Sequence, residues 1–194
     1  MDIAAFFKAE FAEHHDVARK TEALAAQFAK LVTGCAESIR GGGKILLFGN
    51  GGSAADAQHL ATELTVRYKK DRAAIAALAL TTDTSALTAA GNDLGFEKVF
   101  ARQIEALGKA GDVAIAISTS GKSLNVIAAL KQARAQKLIT AALSGRGGGD
   151  LIGLADHLLV VPSGTTARIQ EMHILLGQML CGALEIELGL ATPR

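Results

Sequence analysis

Apolar positions along this chain follow a helical period up to about residue 40 and then break into short runs separated by helical segments. Ile3, Phe6, Phe7, Phe11 and Val17 recur at helical spacing from Asp2, a candidate cap, to about Arg19. Thr21 is placed to cap a second helix, with Leu24, Phe28, Leu31 and Ile39 on its apolar side, that stops at Gly41-Gly42-Gly43. Beyond that, the pattern predicts strands at 44–48, 75–80, 112–117, 138–143 and 157–161. Helices are predicted near 53–68, 84–91, 96–107, 123–136 and 165–189. Val113-Ala114-Ile115-Ala116-Ile117 has no polar face, so that strand must be covered on both sides. The alternation therefore predicts a three-layer α/β/α sandwich around a five-stranded parallel sheet. A single domain over 1–194 is expected, with leading helices in 1–42 and an α/β core in 43–194. The leading helices carry apolar stripes, which must cover a sheet edge or another subunit.

In a parallel sheet of this kind ligands gather at the carboxyl ends of the strands, which directs attention to the turns after the first and third. The first turn, Gly49-Asn50-Gly51-Gly52-Ser53, leads from an apolar run into a helix N-terminus, where backbone N–H groups beside a positive dipole end suit an anion. It also fits G-x-G-x-x-G/A, but the acidic residue a dinucleotide wants about 20 residues on is missing, Asp83 being the nearest. Asn50 and Ser53 point instead to hydroxyl or phosphate contacts, and a plain tight turn is the alternative. The second turn, Ser118-Thr119-Ser120-Gly121-Lys122-Ser123, brings four hydroxyls to another helix N-terminus, a nest for a phosphate monoester. Its Gly-Lys-Ser ending resembles a P-loop, but Ala116 stands where the first glycine belongs, which excludes an ATPase. Ser123 acting only as a helix cap is the alternative there.

His59 and Glu63, four apart, share a helix face, where they can hold a divalent metal or supply a general base; a surface polar pair is the plain alternative. Asn92-Asp93 reads as a turn with an Asx bond. In the last helix Gln170, His173, Gly177 and Gln178 form a polar stripe that either lines a site or faces solvent. His14, His15 and His157 show no partner at ligand spacing.

Composition narrows the functions further. Twenty basic against nineteen acidic side chains, a net charge of +1, give no broad positive field, so nucleic acid is not an expected partner. Cys35 and Cys181 lack a CxxC spacing, which argues against a disulfide framework or a thiolate zinc site. No segment has the pattern of a membrane span, and the N-terminal stretch lacks the basic start and apolar core of a signal peptide. A cytoplasmic location is expected.

Taken in order, GNGGSAADAQH, ATELTVRY, TTDTSALTAAGND, ISTSGKSLNV and ARIQEMH resemble the sugar isomerase (SIS) domain family, whose fold is flavodoxin-like. Within it they are most similar to the bacterial phosphoheptose isomerases, which convert sedoheptulose 7-phosphate to D-glycero-D-manno-heptose 7-phosphate for lipopolysaccharide core heptose. The resemblance implies that Ser118, Thr119, Ser120 and Ser123 hold the sugar phosphate. Asn50, Gly51, Gly52, Ser53, Asn92, Asp93 and Gln170 are implied to line the rest of the pocket. Glu63 matches the base that moves a proton between C1 and C2 through an enediolate, and His59, Glu63 and Gln170 match zinc ligands of some members. Family members are homotetramers with sites shared between subunits. At Gln178 this sequence departs from the family, which carries there a histidine that serves as second acid/base group and fourth zinc ligand. An amide cannot exchange a proton as imidazole does, and it offers a metal only a weak oxygen. A non-catalytic relative that binds the replication initiator also lacks that histidine, but it lacks the glutamate matching Glu63 as well. Retention of both His59 and Glu63 favours an enzyme site, an isomerase whose activity Gln178 is expected to reduce.

Overall fold

The computed structural model describes residues 2–192. The domain limits expected at residue 1 and at 193–194 lie outside the described residues. Two helices lead, α1 (Ile3–Thr21) and α2 (Ala25–Arg40). Asp2 caps α1, its carboxylate accepting from the Ala4 and Ala5 amides at 2.9 and 3.2 Å. Thr21 does not cap α2. Its backbone is helical (φ −68°, ψ −21°) and its hydroxyl donates back to the Val17 carbonyl at 2.8 Å, so the chain enters α2 through a 3-10 turn at Glu22–Leu24.

The α/β part follows as β1 (Ile45–Gly49), α3 (Gly52–Thr65), β2 (Ala77–Ala79), α4 (Thr84–Leu94) and α5 (Ala101–Leu107). It continues with β3 (Val113–Ser118), α6 (Leu124–Ala135), β4 (Ile139–Ser144), β5 (His157–Val160) and α7 (Thr166–Glu187). All five strands pair in parallel, in the order β2-β1-β3-β4-β5, which is the flavodoxin-like arrangement expected. Some boundaries differ from the sequence reading. β2 is shorter because the Ile75 amide donates to Leu64 of α3 (3.1 Å) instead of joining the sheet. α4 runs through Asn92 and Asp93 and ends at Gly95, whose φ of +91° a side chain resists. Asn92-Asp93 is thus helical, not a turn; the Asp83 cap and packing outweigh the roughly 1 kcal/mol that Gly91 costs a helix interior. The helix expected over 96–107 opens as a 3-10 turn at Phe96–Lys98 before α5.

Alternation along the strands divides the core. Ile45, Leu47, Val113, Ile115 and Ile117 face α2, α3 and α7, whereas Leu46, Phe48, Ala114 and Ala116 face α5 and α6. Each fully buried leucine, isoleucine or phenylalanine contributes about 1.5–3 kcal/mol, so both faces anchor the helices that carry polar side chains to the carboxyl edge. α3 and α7 run side by side in the same direction, Gly52 meeting Gln170 and Leu60 meeting Gly177. A β-carbon at Gly177 would come within 2.4 Å of Leu60 Cδ1, so close helix contact requires glycine there. The sheet changes direction of growth between β1 and β3, and the crevice at their carboxyl ends is where the two turns emerge.

Candidate active site

In the first turn, Gly51 takes φ +55° and ψ −120°, a conformation suited to glycine, and Ser53 is buried in the opening turn of α3. The turn's Asn50 side chain faces protein, while Gly51 and Gly52 are exposed. Asn50 and Asn125 exchange amide hydrogen bonds in both directions, at 2.9 and 2.8 Å, tying this turn to the start of α6. The Gln170 amide lies over Gly52, where a β-carbon would come within 2.6 Å of Gln170 Nε2. The Asn50 side chain is therefore a tie between the two turns, and the partner that makes it one, Asn125, was missed. A pairing across 75 positions leaves no local signal.

The second turn is arranged differently. Ser118 closes β3, buried, with its Oγ 3.4 Å from Ser123 Oγ. Ser123 occupies the N-cap of α6 with extended backbone, yet its hydroxyl makes no capping bond. The plain capping alternative is not what the geometry shows. Ser120 Oγ accepts from the Lys122 amide at 3.2 Å, and Thr119, next in sequence to Ser118, is half-buried. Hydroxyls gathered at the positive end of α6 are groups that can bind an anion.

Partway along α3, His59 Nε2 and Glu63 Oε1 lie 3.5 Å apart, and the Gln178 amide nitrogen comes to 2.5 Å from His59 Nε2. Either the amide N–H donates to an unprotonated ring nitrogen, or the amide is turned over and its oxygen accepts from a protonated one. Gln170 lies two turns before Gln178 on α7, its amide over Gly52. The backbone at the end of α3, Glu63 included, is held by contacts absent from the sequence reading. Arg72 donates to the Glu63 and Leu64 carbonyls at 2.7 and 2.8 Å, satisfying the end of α3, and pairs with buried Glu185 of α7 at 2.9 Å. Asp56, one turn before His59, has its carboxyl pushed up by burial, with the His59 charge pulling it back.

His59 Nε2 and the Glu63 carboxylate are ordinary zinc donors, with the Gln178 amide oxygen a weak third. No group of three His, Cys, Asp or Glu converges among the described residues. The donors fit a loosely held divalent ion with open coordination positions, not a closed structural site.

Other candidates are placed elsewhere. Asn92 and Asp93 are exposed at the end of α4, the Asn92 amide donating to Asp93 at 2.7 Å, and among the described residues no hydrogen bond links them to either turn. His173 is fully buried beneath the sheet edge, its Nε2 3.1 Å from the Ser144 carbonyl, and burial lowers its pKa to about 4, so it is neutral and structural. His14 has a partner after all, Glu171 Oε2 at 2.8 Å across α1 and α7. Burial pushes the Cys181 thiol up to about 12, reinforced by Glu63 and Glu185, and burial with Cys181 nearby does the same to Cys35. Both thiols are inert.

Residues 9–145 match the SIS domain. The chain belongs to the SIS domain family. The SIS match takes in the first turn, His59, Glu63 and the second turn, whereas α7 lies after it. A phosphoheptose isomerase of Paramagnetospirillum magneticum is 58% identical over 186 residues, covering 95% of this chain and 97% of that protein. One from Campylobacter jejuni is 57% identical over 176 residues, covering 91% and 95%. Among solved SIS structures, the phosphoheptose isomerase GmhA from Neisseria gonorrhoeae superposes with a TM-score of 0.89 at 46% identity, covering 94% of this chain and 98% of that one.

Proposed function

We propose that this chain is an aldose–ketose isomerase that interconverts sedoheptulose 7-phosphate and D-glycero-D-manno-heptose 7-phosphate. The carrying observation is a pairing of features: a hydroxyl-lined turn whose groups are not consumed as a helix cap, and a carboxylate beside an imidazole on the neighbouring helix. Relatives named phosphoheptose isomerase over nearly the full length support the reading. Ser118, Thr119, Ser120 and Ser123 hold the phosphate, fixing the distance to the other end of the sugar. Glu63 takes the C1 proton of the ketose, the C–H electron pair forms the C1–C2 double bond of the enediolate as the C2 carbonyl pair moves onto its oxygen, and the same carboxyl, after exchange with solvent, delivers a proton at C2. Gln178 hydrogen-bonds but carries no proton, so the proton that passes between the two sugar oxygens travels through water.

Zinc is proposed at His59 and Glu63 with the Gln178 oxygen; when bound it supplies Lewis-acid polarisation of the sugar oxygens. A homotetramer is proposed too. Ile3, Phe6, Phe7 and Phe11 on α1 are 64%, 53%, 61% and 50% exposed in the single chain, an apolar stripe that a second copy would cover. The proposed place is the cytoplasmic supply of lipopolysaccharide core heptose, and no helix is long and apolar enough to cross a membrane among the described residues. A non-catalytic initiator-binding role gives no reason for Glu63 to be kept. Metal-replete protein given sedoheptulose 7-phosphate should form the aldose. Absence of product together with absence of any thermal shift would refute the reading.

A further inference from the structure

Among the described residues, two that are not glycine adopt a positive φ: Lys137 at +62° and Arg146 at +49°. Lys137 has a local cause. It follows α6, with its amide donating to the Arg134 carbonyl and the Leu138 amide to Ala133, the bond pair of a Schellman cap. Arg146 has none. It lies in Gly145-Arg146-Gly147-Gly148, where the Gly148 amide donates to the Gly145 carbonyl at 2.9 Å and positions 146 and 147 both have positive φ. That is the pattern of a type I′ turn, whose first central position favours asparagine, aspartate or glycine. An arginine flanked by glycines, at a position where glycine would be unstrained, points to a use for its side chain.

The loop's position indicates what that use is. It follows β4 and interlocks with the second turn: a β-carbon at Gly121 would come within 2.1 Å of the Gly148 carbonyl oxygen, and the Asp150 amide donates to Gly121 at 3.0 Å. Ser144 Oγ, just before the loop, donates to the Ser118 carbonyl at 3.0 Å. The exposed Arg146 guanidinium donates to Thr166 Oγ1 at 2.8 Å, in the first turn of α7. A cation at the positive end of a helix is unfavourable unless an anion joins it. Among the described residues it has no acidic partner, whereas Arg168, further into α7, is taken by Glu10 and Glu171.

We propose that Arg146 is a substrate-binding residue, the cation that pairs with the phosphate of the sugar held by the Ser118–Ser123 turn. The inference rests on the reading of that turn as the phosphate site. Arg146→Gly removes the charge and the unfavourable φ together, while Arg146→Asn removes the charge from a residue that still tolerates the left-handed region. Both variants should melt no lower than the parent and raise KM for sedoheptulose 7-phosphate by ~10-fold or more with kcat changed less than ~3-fold, as loss of one charge-assisted bond to phosphate requires. Binding of inorganic phosphate, measured by calorimetry, should weaken in parallel, and Arg146→Lys should retain most of it. If Ser123→Ala weakens phosphate binding while Arg146→Gly and Arg146→Asn leave KM and binding within twofold, Arg146 has no such role and the turn keeps its own. If none of these variants alters phosphate binding, the phosphate sits elsewhere and both readings fall.

Discussion

Two glycine-containing turns leave the carboxyl edge of the sheet side by side, and they differ in what their polar groups face. In the first, Asn50 is locked to Asn125 and the Gln170 amide rests on Gly52. In the second, Ser123 reaches the capping position of α6 without capping it, and its hydroxyl turns towards Ser118. Both present a helix N-terminus, so the dipole alone does not distinguish them. The difference lies in the kind of partner: reciprocal amide bonds between the turns for Asn50, neighbouring hydroxyls and one local amide for the serines. The first turn leads into α3, which carries His59 and Glu63, and the second is the proposed phosphate receptor.

The largest expected effect tests α3. Glu63→Gln should lower kcat by ~10²–10⁴-fold with KM and the melting temperature little changed, because the base is lost and its volume kept. A variant that turns over like the parent would remove α3 from the chemistry. Gln178→His restores a proton-carrying side chain beside His59 and should raise kcat by up to ~10²-fold. No gain would mean that residue 178 serves geometry alone.

Intermediate effects concern the ground the turns stand on. His173 has a folded-state pKa near 4 against about 6.5 when unfolded, so the unfolded chain binds the extra proton between those values. The sign is destabilising on acidification. Stability should be intact above pH 6.5 and fall by about 3 kcal/mol by pH 4 from this group alone, measurable by urea unfolding across that range and removed in His173→Phe. Asn125→Ala leaves the Asn50 amide unpaired and should cost about 1–3 kcal/mol of stability while raising KM through the loosened tie. The smallest effect sharpens the contrast. Ser123→Ala should weaken substrate binding about tenfold yet lower stability by less than the 0.5–2 kcal/mol that removing a true cap costs. A drop in stability of that size with unchanged KM would return Ser123 to helix capping.

The parallel sheet was legible because uninterrupted apolar runs such as Val113–Ile117 read as strands buried on both faces, whereas its strand order was implied only by the family resemblance. Both turns and the His59–Glu63 spacing were legible for the same local reason. What escaped is long-range or depends on context. Gly91-Asn92-Asp93 looks like punctuation, and only packing and the Asp83 cap carry α4 through it. Asn125, Arg72 and Glu185 act on residues remote in sequence, so no spacing announces them. The packing of Gln170 over Gly52 likewise joins residues remote in sequence. The phenylalanines of α1 read correctly as an apolar stripe, but a single chain gives them nothing to cover.

The most direct test of the central claim is isomerisation of sedoheptulose 7-phosphate in deuterated water by the parent protein and by Glu63→Gln. The account predicts aldose carrying deuterium at C2 from the parent and at least ~10²-fold less of it from the variant. Equal label and product from both proteins, or none from the parent, would contradict it.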